Sequence, residues 1–300
     1  ALQEYLMYGE NSEYLTELTD KEVYYMDIAS LKGDLTRAAN YEAKIFYTGT
    51  LPFDDAYTIL SQNLPLVANE RPSNSPQVRE MAQATENTIF FLPNNDAEQA
   101  QIHFYLPMQA ADKKDDVLRD AFNQYFGIGF TGLVLNEIRE KRSMAYTAYA
   151  HASTQGISNK ASCLVGYIGT QNDKANEAVE VFMGLVNDMP EYSDRIDNIK
   201  SYLRQEALTS HPSFRSKAMS LVSLELMGYT DDPAKENLAK IDALTFEDIV
   251  KFYKENIQGK PYRIAIMGNP KMIDLKALEK FGKVVKLSEK RLFNSKDKLF

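Results

Sequence analysis

Nine consecutive residues, Ile138-Arg139-Glu140-Lys141-Arg142-Ser143-Met144-Ala145-Tyr146, hold the side chains of this chain best suited to chemistry on a polypeptide. They set the guanidinium of Arg139 and the phenol of Tyr146 seven positions apart, across an expected helix end. Arg139 keeps its charge at any working pH and offers several donors to a peptide carbonyl, while the Tyr146 hydroxyl can donate one more hydrogen bond. The pairing suits a site that grips peptide carbonyls. Nothing else in the 300 residues reads as catalytic machinery.

The elements that must carry the pair follow from the neighbouring residues. Leu133 to Arg142 reads as a helix that buries Val134, Leu135 and Ile138, with Glu137 and Lys141 at the i,i+4 spacing of an ion pair. Tyr146 then opens a strand. On spacing alone the segment is equally a solvated charged face followed by a core aromatic whose hydroxyl reaches the edge. Upstream, Gly127-Ile128-Gly129-Phe130-Thr131-Gly132 matches the dinucleotide fingerprint G-x-G-x-x-G, which works only between a strand and a helix, with an acid about 20 residues on. Here an amphipathic helix precedes it and Thr147 to His151 holds no carboxylate, so Gly127, Gly129 and Gly132 read instead as a tight turn between two helices.

Other chemistries lack their residues. The histidines are His103, His151 and His211, none with a second ligand at helical spacing, and neither H-E-x-x-H nor H-x-x-E-H occurs, so no metal site is expected in this chain. A G-x-S-x-G elbow is absent, and the single Cys163 lies in a run that reads as a buried strand with an inert thiol. With 34 Lys and Arg against 42 Asp and Glu, the net charge of −8 argues against nucleic acid, which calls for a concentrated basic face. No apolar stretch approaches the roughly 18 residues of a membrane span, and the first residues are acidic where a signal peptide is basic, so the chain reads as soluble.

The pattern predicts an α+β fold, a largely antiparallel sheet covered on one face by helices. Strands are expected at Thr88–Leu92 and Gln101–Leu106, joined by Pro93-Asn94-Asn95-Asp96, at Tyr146–Ser153 and Ala161–Ile168 as a hairpin, and at Arg263–Gly268. Val117, Leu118, Ala121, Phe122, Tyr125 and Phe126 form one helical stripe, and three more helices follow, the last burying Ala218, Leu221, Val222 and Leu224. A strand over 43–49 and a helix over 54–64 repeat the strand-turn-helix of 263–281, and the capping boxes at Thr19 and Thr245 repeat as well. The expected division is therefore 1–68 as the closing part of a preceding homologous repeat, 69–77 as linker, and 78–300 as a complete domain.

The motif from Ile138 to Tyr146, behind a glycine turn, resembles the Leu-Arg-x-Lys-x-x-Leu-(Gly/Ala)-Tyr signature in the C-terminal half of the pitrilysin, insulysin and mitochondrial-processing-peptidase superfamily. Gln101 to Pro107, Gly127 to Gly132, and Leu244 to Pro270 with its Gly-Asn-Pro are similar to further parts of that family, and residues 1 to 66 to the end of the preceding repeat. Ser143 stands where many members have glycine. The resemblance implies a half that has lost the inverted zinc motif, with zinc on an N-terminal half or partner subunit. It also implies that Arg139 and Tyr146 reach across to a peptide substrate lying as an added strand on the catalytic half's sheet. The chain alone is then expected to cleave nothing. The alternative is an inert structural subunit of the same superfamily, which has no need of the Arg139 and Tyr146 pair.

Overall fold

The computed structural model describes residues 1–38, 40–41, 43–64, 78–129 and 131–294; the expected linker lies outside them. Helices α1 (Leu2–Tyr8), α2 (Glu13–Thr16), α3 (Asp20–Tyr24), α4 (Ile28–Ala38) and α5 (Phe53–Asn63) come first. Strands β1 (Thr88–Pro93) and β2 (Gln99–Ala110) follow, then α6 (Asp116–Phe126) and a short α7 (Leu133–Leu135) that runs into a π-helix at Asn136–Glu140. Next come β3 (Ala145–Thr154) and β4 (Ala161–Gln171). Helices α8 (Ala175–Asn187), α9 (Ile196–Thr209), α10 (Lys217–Leu226), α11 (Ala234–Ala243) and α12 (Phe246–Asn256) form a second block. The described chain closes through β5 (Arg263–Gly268), α13 (Leu275–Leu278) and β6 (Lys283–Lys286).

The strands form one sheet in the order β3-β4-β2-β5-β1-β6. The pairs β3/β4, β4/β2 and β2/β5 are antiparallel, and β5/β1 and β1/β6 are parallel, so the fold is α+β with a mixed sheet. The expected turn between β1 and β2 does not make them neighbours, because β5 enters between them from the far end of the sequence. The apolar run Ile264-Ala265-Ile266-Met267 suits a central strand with both faces covered. Strand β6, Lys-Val-Val-Lys, was not foreseen; it is short and lysine-flanked, as edge strands commonly are.

One face of the sheet carries the main core. Helix α6 turns the predicted stripe inward, Phe122 stacking on Phe126, while Phe104 of β2 stacks on Phe182 of α8 at 3.8 Å. Gly166 makes that contact possible, since a Cβ there would sit 2.7 Å from the Phe182 ring. Across the sheet α1 lays Leu2, Tyr5 and Leu6 over Tyr105, Cys163, Val165 and Ala265, and the Tyr105 hydroxyl donates to the Ala82 carbonyl at 2.8 Å. Burial pushes the Cys163 thiol up to about 12, as befits an inert core residue. Both predicted capping boxes form, Thr19 with Glu22 and Thr245 with Asp248.

Two expectations fail. Residues 43–48 carry no strand, because an extended run needs a neighbouring ladder and none of the described strands pairs with it. The stripe predicted as buried on α10 is not: Leu221 is 59% exposed and no residue of that helix is fully buried. Periodicity reports that a helix has an apolar side, but not that something covers it. The same holds for α4 and α5, whose Ile28, Leu31 and Leu35, and Phe53 and Tyr57, all face solvent. No helix among the described residues is long and apolar enough to cross a membrane.

Candidate functional site

The site is built around β3, starting from the end of α6. The Asn123 side chain accepts from the Ala152 N–H at 2.6 Å and donates to the Ala152 carbonyl at 3.0 Å, closing the outer ladder of this edge strand as a neighbouring strand would. The Gly127 carbonyl then accepts from the Ala150 N–H at 3.2 Å. A Cβ on Gly127 would overlap the Ala150 carbonyl oxygen and lie 2.7 Å from its carbon, so only glycine permits the approach. Gly129 does a different job, turning the chain at φ 77° in open space. Gly132 stands at the N-cap of α7, packed against the Ile128 carbonyl. The glycines therefore join α6 to α7, not a strand to a helix.

Past α7 the helix widens. The Lys141 N–H bonds to the Asn136 carbonyl five residues back at 2.9 Å, and such π-turns concentrate at functional sites. Leu133, Val134 and Ile138 are buried and anchor the segment. Glu137, only 9% exposed, accepts from Lys141 Nζ at 2.5 Å and from an Arg142 guanidinium nitrogen at 2.6 Å. Burial opposes the Glu137 charge, but these hydrogen bonds outweigh it and hold the carboxyl below its ordinary range. Both neighbouring cations are thus absorbed, and Arg139 is left to point elsewhere.

The turn into β3 is held by Ser143 N–H to the Arg139 carbonyl at 2.8 Å, Met144 N–H to the Ile138 carbonyl at 3.0 Å, and the buried Thr170 hydroxyl to the Met144 carbonyl at 2.7 Å. Ser143 occupies φ 49°, the left-handed region, at the position where the resemblance expects glycine. Replacing Ser143 by glycine should stabilise the chain by about 1 kcal/mol, because a residue with a Cβ is strained there and glycine is not. Thermal unfolding checks this, with a rise in Tm of roughly 2–4 °C expected; no rise, or a fall, would show that the turn is relaxed.

Strand β3 begins with a bulge. Ala145 pairs with Thr170 and Thr147 with Gly169, so Tyr146 is the extra residue, outside the ladder. The bulge breaks the in-out alternation, and Tyr146 and Thr147 are both exposed between buried Ala145 and Ala148. Tyr146 is 81% exposed, and the Arg139 guanidinium carbon lies 4.8 Å from its ring centroid. Arg139, 34% exposed, also approaches Glu140 at 3.5 Å. At the surface such a cation–ring contact is worth on the order of 0.5–1 kcal/mol, enough to orient both groups while leaving the hydroxyl and guanidinium N–H donors toward solvent. The arrangement sets two donors side by side for carbonyl or oxyanion oxygens.

His103 and His151 sit on β2 and β3, and His211 in the loop before α10. Among the described residues no three or more His, Cys, Asp or Glu side chains converge to hold a metal, so the residues present do not fit a zinc ion. A cavity of about 1300 Å³ among α6, α9, α10 and α11 is lined by Leu203, Leu224 and Glu206 and includes neither Arg139 nor Tyr146. Sequence reasoning missed Asn123, the π-turn and the bulge. A further row escaped it as well: Tyr149, Tyr167 and His103 lie side by side across β3, β4 and β2, and the alternation Thr147, Tyr149, His151 was the available signal.

The model of the peptidase M16 inactive domain matches residues 39–203. No curated protein matches the chain. Among solved structures, the peptidase M16 inactive domain from Pseudomonas fluorescens superposes with a TM-score of 0.68 at 16% identity, covering 91% of this chain and 65% of that one. A protease from Helicobacter pylori gives 0.62 at 14% identity, over 83% of this chain and 60% of that one. A mutant of the ferredoxin protease FusC in complex with Arabidopsis ferredoxin also gives 0.62 at 14% identity, over 88% of this chain and 29% of that one. At such identities the likeness is one of fold, and the chain spans 65% or less of the length of each of these structures.

Proposed function

Because the chain belongs to the peptidase M16 family, whose inactive domain matches more than half of it, we propose that it is the substrate-binding, non-catalytic half of a zinc metalloendopeptidase. Hydrolysis belongs to a homologous half bearing H-x-x-E-H, upstream on the same chain or on a separate subunit, and zinc would be held there. The observation that carries this reading is the Arg139–Tyr146 pair, stacked at 4.8 Å on a bulge and a π-turn while Glu137 pairs with both Lys141 and Arg142. Arg139 would hold a carbonyl of the extended peptide, and Tyr146 would donate to the oxygen that gains charge when the neighbouring carbonyl is attacked. With Asn123 and Gly127 already bonded to Ala152 and Ala150 on the outer edge of β3, a peptide strand finds those ladder positions taken, which supports its adding to the sheet of the zinc half.

The uncovered apolar stripes of α4 and α5 support residues 1–68 being part of a preceding repeat, whose remainder would cover them. That one relative of the fold is held in complex with a protein, ferredoxin, fits a polypeptide ligand.

An internally quenched peptide tests the proposal. The chain alone should leave it intact, and the chain combined with its zinc half should cleave it. Arg139→Ala should raise KM by about 10–100-fold, the loss of one charge-assisted hydrogen bond. An unaltered KM and kcat in Arg139→Ala would sink the reading and favour a structural subunit.

A further inference from the structure

The sheet face opposite the main helical layer is only half covered. One row crosses it in register: Tyr149 of β3 opposite Tyr167 of β4, Tyr167 opposite His103 of β2, His103 opposite Ala265 of β5, and Ala265 opposite Phe90 of β1. The rings stand in contact, 5.7 Å from Tyr149 to Tyr167 and 5.0 Å from Tyr167 to His103. At the β1 end the chain covers the row itself, with Tyr5 of α1 edge-on to Phe90 at 5.7 Å and 86°. Next to the row, residues deeper under α1 (Tyr105, Cys163 and Val165) are buried. Toward β3 the cover stops. Tyr149 is 36% exposed, Thr147 and Gln101 are exposed, and the Tyr167 ring lies along its strand over Gly169, where a Cβ would come within 3.0 Å of its hydroxyl.

We infer that this open aromatic floor, Tyr149 and the Tyr167 ring laid over Gly169, flanked by His103, is a subsite for an aromatic side chain of the bound peptide. The inference rests on the peptide-binding role proposed above. Tyr149 lies three residues along β3 from Tyr146, about 10 Å at the rise of a strand, or roughly three residues of an extended peptide held by Arg139 and Tyr146. Burial, aided by the nearby Ala1 ammonium, pushes the His103 imidazole down to about 4, and burial lowers that of His151, so neither ring offers an anionic side chain a cation. An aromatic ring does, edge-on to Tyr149 and Tyr167, as Tyr5 sits on Phe90 within the chain. Aromatic rings gain from such contacts beyond the area they bury, which favours them over aliphatic side chains.

Two blocked hexapeptides, identical except for one Trp replaced by Ala, test the subsite. The chain contains no tryptophan, so the emission of the Trp peptide reports binding without background, and the Ala peptide is measured by displacement. The Trp peptide should bind about tenfold more tightly, the return for seating one ring. Tyr149→Ala and Tyr167→Ala should each bring it down to the affinity of the Ala peptide, while Arg139→Ala should weaken both peptides by the same factor. Nuclear Overhauser effects from the indole to the rings of Tyr149 and Tyr167 in the unsubstituted chain give a second readout that needs no variant. A Trp preference that survives both tyrosine substitutions, absent Overhauser effects, or no binding of either peptide overturns the subsite. Self-association abolished by Tyr149→Ala would make the floor an interface between copies and overturn it too. If the tyrosine variants erase the preference but Arg139→Ala changes neither peptide, the subsite stands and the role assigned to Arg139 fails.

Discussion

Replacing Tyr146 with phenylalanine should lower kcat of the assembled peptidase by about 10²–10³-fold, the usual cost of removing one oxyanion donor. The substitution deletes a single oxygen. Tyr146 is 81% exposed and lies outside the ladder, so no core contact or sheet hydrogen bond is lost, and the phenylalanine ring can still take the Arg139 guanidinium on its face. Folding should be unaffected. The donor is needed where charge develops, not in the ground state, so KM should stay close to its original value. That separates Tyr146→Phe from Arg139→Ala, whose effect should fall mainly on KM. Steady-state kinetics with the zinc half present checks this, and a kcat within fivefold of the parent at unchanged Tm would remove Tyr146 from the chemistry.

Gly127→Ala should destabilise the chain by about 3 kcal/mol, at the upper end of overpacking costs. The new methyl would overlap backbone atoms of Ala150, which belong to β3 and cannot rotate aside as a side chain would. Relief requires α6 and β3 to separate, which also weakens the bond from the Ala150 N–H and the Asn123 clamp on Ala152. The loop that leads to Arg139 and the strand that bears Tyr146 would then move apart. Gly129→Ala is the control: its φ is 77° but space around it is open, so the cost should be only about 1 kcal/mol of left-handed strain. Chemical denaturation of both variants decides the matter. Equal, mild effects would mean that Gly127 is not needed for the close approach.

Most elements were legible because their cause is local. The stripe from Val117 to Phe126 faces the core, the capping boxes at Thr19 and Thr245 close, and the strand at Arg263–Gly268 stands where its apolar run placed it. The expected strand over 43–49 and the buried stripe on α10 failed for one reason: each needed a neighbour that a local pattern cannot name. The insertion of β5 between β1 and β2 was hidden likewise, since adjacency in a sheet is settled by which apolar runs must be covered on both faces.

For the site, the sequence by itself determined the residue types, a permanent cation and a phenol seven positions apart behind a glycine turn, together with the absence of zinc-ligand spacing. Only the tertiary structure decided what those residues do to one another. A bulge of one residue turns Tyr146 out of the sheet, a π-turn and the buried Glu137 divide three nearby cations so that Arg139 alone meets the ring, and Asn123 and Gly127 hold the end of α6 against β3. Each of these is a contact between segments distant along the chain or a departure of one residue from regular geometry. Residue spacing encodes periodic structure, whereas a bulge, a shared carboxylate or a close backbone approach depends on which atoms arrive opposite one another when the sheet closes.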